Sequence, residues 1–147
     1  MSIAYKFAVA AVLVALTLVL QCAWVAVLIV WGRGYFGREH RAFGTVRAAW
    51  LMVWITAYMI VLQLLEILLW GGFYRWKCFS SWTAAFYFSA GSYTTVGSGA
   101  LLLPPEWSTF QPVESLTGSL MCGLSAGFLF AVVTLLVRHD DKFVQAG

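Results

Sequence analysis

The residues with the most specific chemistry are Tyr93-Thr94-Thr95-Val96-Gly97-Ser98-Gly99-Ala100, set between a short aromatic apolar segment and a long apolar one. Their chemistry is that of the main chain. A row of carbonyl oxygens replaces the water around an ion if the oxygens face one axis, and glycines at alternate positions supply the positive φ values that such aiming needs. Gly97 and Gly99 have that spacing. Thr95 and Val96 place two more carbonyls before them, and Thr95 adds a hydroxyl at one mouth. Thr94, Thr95, Val96, Gly97, Ser98 and Gly99 therefore form a candidate ion-binding strip, with the carbonyls of Thr95, Val96, Gly97 and Ser98 as ligands.

The elements around this strip fold in lipid. Of the 147 residues, 62% are apolar and 10% charged, and the mean hydropathy of +0.85 lies far outside the range of water-soluble domains. A net charge of +3 is too small and dispersed to attract nucleic acid, and it reads as a topology signal. Three segments reach the roughly 20 helical residues that a hydrocarbon core requires. They are Phe7 to Trp31 without formal charge, Ala48 to Trp70 with only Glu66, and Val113 to Val137 with only Glu114. Cys78 to Tyr93 is too short at 16 residues, holds five Ser or Thr, and runs straight into the glycine strip. It reads as a re-entrant half-helix. Irregular backbone at membrane depth must be buried in protein or line a water-filled cavity, so Thr94 to Gly99 is expected in one of those settings.

Basic residues orient the spans. Arg33, Arg38, Arg41, Arg47, Arg138 and Lys142 fall on one side, and only Lys6, Arg75 and Lys77 on the other. The positive-inside rule then puts the loop between the first two spans and the C-terminus in the cytoplasm, with the N-terminus outside and the half-helix entering from outside. Trp31 and Trp50 fit the inner interface, and Trp70, Trp76, Trp82 and Trp107 the outer one. The first apolar run is about twice as long as a signal-peptide core and lacks a small-x-small cleavage site, so it is expected to be retained. Leu20-Gln21-Cys22 does not make a lipoprotein site, because Gln21 stands where a small residue is needed.

Ala85-Phe86-Tyr87-Phe88, five further residues and then Thr94-Thr95-Val96-Gly97-x-Gly99 resembles the pore helix and filter of the potassium-channel family, in particular its two-pore-domain type and small bacterial relatives. Gly118 to Val133, around Gly123-Leu124-Ser125-Ala126, is similar to the inner helix of that family. The resemblance covers Ala48 to Val137 and leaves the first span outside. It implies a homotetramer around a central four-fold pore in a bacterial-type inner membrane, K⁺ or Na⁺ as the permeant ion, and one quarter of each ion cage from each chain. It also implies Ala48 to Trp70 as outer helix, Val113 to Val137 as inner helix, Tyr87 and Phe88 as filter support, Gly123 as a hinge, and Leu124, Ala131 and Leu135 as lining of the lower pore. In the family the filter continues with an aromatic, Gly and Asp, whereas here Ser98, Gly99 and Ala100 follow. Without the aromatic and the acid the outer ion sites are expected to be loose and discrimination between K⁺ and Na⁺ weak. The same loss is compatible with a non-conducting scaffold or accessory subunit of a larger complex.

The expected fold is thus an all-α integral membrane protein with three transmembrane helices, a re-entrant pore helix and a filter loop. Residues 1–47 form the first span and basic loop, 48–137 the pore domain, and 138–147 a short cytoplasmic tail. Glu66 sits inside a span, where an ionisable group is costly. It bonds toward the half-helix, pairs with Arg75 or stays protonated. Glu114 follows Gln111 as cap and Pro112 as first helical residue, which suits the helix dipole, or it braces the filter from behind. The small residues of the third span permit close helix packing as well as a hinge. His40 and His139 are isolated, Cys22, Cys78 and Cys122 are scattered, and no phosphate loop is present. Neither an enzyme nor a cofactor is expected, and the partners are monovalent cations, lipid and further copies of the chain.

Overall fold

The computed structural model describes residues 3–38 and 45–145. His40 and Arg41 lie outside the described residues, as do the side chains of Arg38, His139 and Lys142. All regular structure among the described residues is helical: α1 (Ile3–Arg38), α2 (Thr45–Lys77), α3 (Trp82–Tyr93) and α4 (Phe110–Gln145). Three helices are long and apolar enough to cross a membrane, over Ile3–Gly34, Val46–Lys77 and Phe110–Arg138. Each outruns the apolar span read from the sequence, because a helix in lipid must close its own hydrogen bonds and stops only where its last carbonyls find other partners. α2 finds them at Tyr74, whose carbonyl accepts from Cys78 N–H at 2.8 Å and Phe79 N–H at 2.9 Å.

Packing sets the helix directions. At one end Ala10 and Leu13 of α1, Trp70, Phe73 and Tyr74 of α2, and Phe110 of α4 form one core with Ala85, Phe88 and Trp107. At the other end Leu28, Leu51, Ile55, Met59, Leu62 and Leu136 form a second. α1 and α4 therefore run parallel and α2 runs against them. Arg33, Arg47 and Arg138 come to the same end of the bundle, as the charge pattern requires.

α3 is shorter than the segment expected to form it. Cys78 to Ser81 stays outside the helix, and Ser81 is its N-cap in an extended conformation. From there α3 runs down the flank of α2: Ala85 and Phe88 join the first core, and Tyr93 meets Ile67 and Met121 about a third of the way along α2 and α4 from that end. The chain then returns, and Trp107 and Phe110 rejoin the first core, meeting edge-on at 5.0 Å, with Phe73 stacked on Phe110 at 5.1 Å. Residues 94–99 thus begin about a third of the way along the bundle, some 11 residues or roughly 16 Å of helix from the end of α2. α4 begins at Phe110, so Pro112 is its third residue rather than its first. That is still within the first turn, where no proline N–H is missed.

Candidate functional site

Two carboxyl groups hold α3 in place. Glu114 of α4, fully buried, accepts from the Tyr74 hydroxyl of α2 at 2.8 Å and from the Ser89 hydroxyl of α3 at 2.6 Å. Ser89 Oγ also lies 2.9 Å from the Ile67 carbonyl. One turn further along α3, the Tyr93 hydroxyl donates to Glu66 of α2. Of the alternatives open for these acids, Glu114 braces α3 and Glu66 bonds toward it. Arg75 turns elsewhere, donating to the Phe79 carbonyl at 3.3 Å. The α4 side closes the clamp: Ser115 donates to the Ser92 carbonyl at 2.7 Å. A Cβ at Gly118 would fall on the Tyr93 carbonyl, so only glycine lets α4 come this close to the end of α3.

The backbone beyond α3 alternates in hand. Thr95, Gly97 and Gly99 have φ of 61°, 96° and 60°, and no other described non-glycine residue has a positive φ. The first of these ends the helix, with Thr94 N–H on the Ala90 carbonyl and Thr95 N–H on that of Ser92, each at 3.1 Å. A left-handed residue just past a helix is ordinary when it is glycine. For a β-branched threonine it costs about 1 to 2 kcal/mol, a strain of the kind concentrated at functional segments. Val96 follows, 85% exposed.

Of the four expected carbonyl ligands one is hydrogen-bonded inside the chain and a second is turned against α3. The Gly97 oxygen packs against Gly91, where a Cβ would collide with it, and Gly97 N–H bonds to the Gly91 carbonyl at 2.9 Å. The Ser98 carbonyl closes a turn by accepting from Leu101 N–H at 3.2 Å. The physical cause is the bare backbone of Gly91, which lets residues 97–98 settle on α3. No hydrogen bond among the described residues uses the carbonyls of Thr95 or Val96, so these two remain presented. Ser98 points into the protein at 5% exposure, with its hydroxyl donating to the Leu101 carbonyl at 3.0 Å and Gln111 Nε2 3.5 Å away. A hydrogen-bonded serine therefore occupies the place where an aromatic brace was missed. Thr94 is a cap, its hydroxyl on the Ala90 carbonyl at 2.7 Å.

The other expected site residues divide. Phe88 is fully buried and meets Tyr74 edge-on at 5.0 Å, whereas Tyr87 is exposed and braces nothing within the chain. Leu124 and Leu135 are exposed, Ala131 lies on the same face, and a Cβ at Gly123 would meet nothing within 4 Å. Sequence reasoning missed Tyr74, Ser89 and Gly91 as site residues, and took Ser115 and Gly118 only as small residues that permit close packing of the third span, which is what Gly118 does against Tyr93. Ser89 carried a signal, as a hydroxyl directly after the aromatic run Phe86-Tyr87-Phe88 in an apolar helix; Tyr74 and Gly91 carried none.

No family model matches this chain. No curated protein and no solved structure is significantly similar to it either.

Proposed function

We propose that this chain is one subunit of a tetrameric, potassium-like channel for monovalent cations. α3 is its re-entrant pore helix, residues 94–99 its filter, α2 its outer helix and α4 its inner helix. The observation that carries this reading is the pair of carbonyls at Thr95 and Val96 without a hydrogen bond, held about a third of the way along a bundle whose three long helices are apolar enough to span a membrane. Lipid cannot satisfy such groups, so the strip must meet water, ions or other copies of the chain. The C-terminus of α3, where helix carbonyls point, lies beside it and favours a cation. The alternating φ values and the clamp of Glu66 and Glu114 add a fixed placement.

In the assembly four strips face one axis, and K⁺ or Na⁺ exchanges its water for their oxygens. The filter enters from outside, the arginine-rich end is cytoplasmic, and the membrane is an inner one of bacterial type. Gly123 is the hinge of α4, and Leu124, Ala131 and Leu135 line the lower path. With only Thr95 and Val96 presented in a single chain, few sites are well formed and K⁺ is favoured only weakly over Na⁺.

The inward turn of the Gly97 carbonyl and the hydrogen bond on that of Ser98 favour a second reading, a non-conducting subunit that keeps the scaffold. One experiment separates the two. Purified protein is weighed in mild detergent and reconstituted into liposomes for cation flux. Four chains with flux support the channel; a stable particle of any size without flux supports the scaffold.

A further inference from the structure

α1 takes no part in the proposed pore, yet it is fastened to both helices that form it. Trp70 Nε1 of α2 donates to the Thr17 hydroxyl of α1 at 3.1 Å. One turn along α1, Gln21 is 2% exposed and donates from Nε2 to the Ser125 hydroxyl oxygen of α4 at 3.1 Å. Gln63 of α2 donates to that same oxygen at 3.0 Å. Three helices therefore meet on one hydroxyl. Gln21 Oε1 is left buried without a partner, so the knot holds with one acceptor unsatisfied. A different placement of α4 or α1 that hydrates this oxygen recovers part of that cost, which makes the knot releasable rather than permanent.

The place of the knot on α4 matters. Ser125 lies between Gly123 and Gly127, and a Cβ at either glycine would meet nothing within 4 Å. It is the only buried residue between Met121 and Leu136. Sharp helix bends gather at Gly and Ser, where no bulky side chain resists them. In lipid, burial gives little drive to hold helices together, so a polar contact weighs more in fixing such a segment than it would in water.

We infer, resting on the channel reading, that α1 is a latch on the inner helix. The Gln21–Ser125–Gln63 knot holds α4 straight across Gly123 to Gly127, and its release lets α4 bend and changes the width of the path below the filter. The chain thereby carries its own gating control in the span that lies outside the pore.

Single-channel recording from purified protein in planar bilayers tests this, with Gln21→Leu, Ser125→Ala and the double variant beside the wild type. Each single change is expected to move the open-to-closed ratio in the same direction, by about 3- to 17-fold per chain given the strength of interhelical hydrogen bonds in membranes. The K⁺/Na⁺ permeability ratio stays unchanged, and the double variant goes no further than Ser125→Ala alone, which already removes the bonds from both Gln21 and Gln63. Ser125→Thr keeps the hydroxyl and is expected to restore wild-type gating, which also serves if the alanine variant assembles poorly. Unmoved gating in a conducting protein, or single effects that add in full, overturns the latch while leaving the channel intact. A wild type that passes no current overturns the channel reading and the latch with it.

Discussion

Both ends of this bundle have an apolar core, and the end around α3 adds a cluster of buried side-chain hydrogen bonds. Around α3 the helices are joined by buried hydrogen bonds, with Tyr74 and Ser89 on Glu114, Tyr93 on Glu66 and Trp70 on Thr17. At the arginine-rich end they are joined by apolar side chains, Leu28, Leu51, Ile55, Met59 and Leu136, with Trp24 stacked on Tyr58 at 4.6 Å. In water the second kind of contact would be the stronger. In lipid the order reverses, because acyl chains replace leucine contacts almost without loss but cannot replace a hydrogen bond. The α3 end is accordingly the more tightly fixed half, and it holds the strip.

The comparison breaks most visibly at Gly118. A side chain there meets the Tyr93 carbonyl and carbonyl carbon, which are backbone and cannot step aside. Gly118→Val is expected to cost about 3 kcal/mol per chain or more, at the upper end of overpacking penalties, and to abolish the assembled species in detergent chromatography. An assembled Gly118→Val protein that melts like wild type would show that α3 and α4 are not in close contact.

Removing the acids separates their two roles. Glu114→Leu strands the Tyr74 hydroxyl and leaves Ser89 only the Ile67 carbonyl, whereas Glu66→Leu strands the Tyr93 hydroxyl alone, so stability should fall by about 1 to 3 kcal/mol in each, more for the former. An equal or reversed order would mean that the bonding of Glu114 to both Tyr74 and Ser89 is wrong. At Gly123 the expected effect is smallest and of opposite sign. Gly123→Ala meets open space and gains about 0.5 to 1 kcal/mol of helix propensity, so the protein melts slightly higher while current falls because α4 bends less easily. Unchanged current removes Gly123 as a hinge.

Much of the fold was legible because lipid makes a blunt demand: long uncharged runs become helices, and Cys78 to Tyr93 is too short to be another span. The arginine count likewise agreed with the end at which α1, α2 and α4 gather their basic residues. What stayed hidden was the rotation of each helix. α1, α2 and α4 are apolar on every side, so no amphipathic stripe marks the inward face. The pairs Glu114 with Tyr74, Gly118 with Tyr93 and Gln21 with Ser125 depend on that rotation and lie far apart in the chain. The positive φ at Gly97 and Gly99 could be anticipated from residue type, but the strain at Thr95 could not. Nor could the inward turn of the Gly97 carbonyl, which needs the bare Gly91 opposite it.

The most direct test of the central claim is the reversal potential of purified, reconstituted protein under a K⁺/Na⁺ gradient, measured for the wild type and for Gly97→Ala. The account predicts a cation current with only modest preference for K⁺ in the wild type. It also predicts loss of that current in the variant, whose alanine must take a φ of 96° that L side chains rarely adopt. No cation current from correctly assembled wild type, or an identical current from Gly97→Ala, would contradict it.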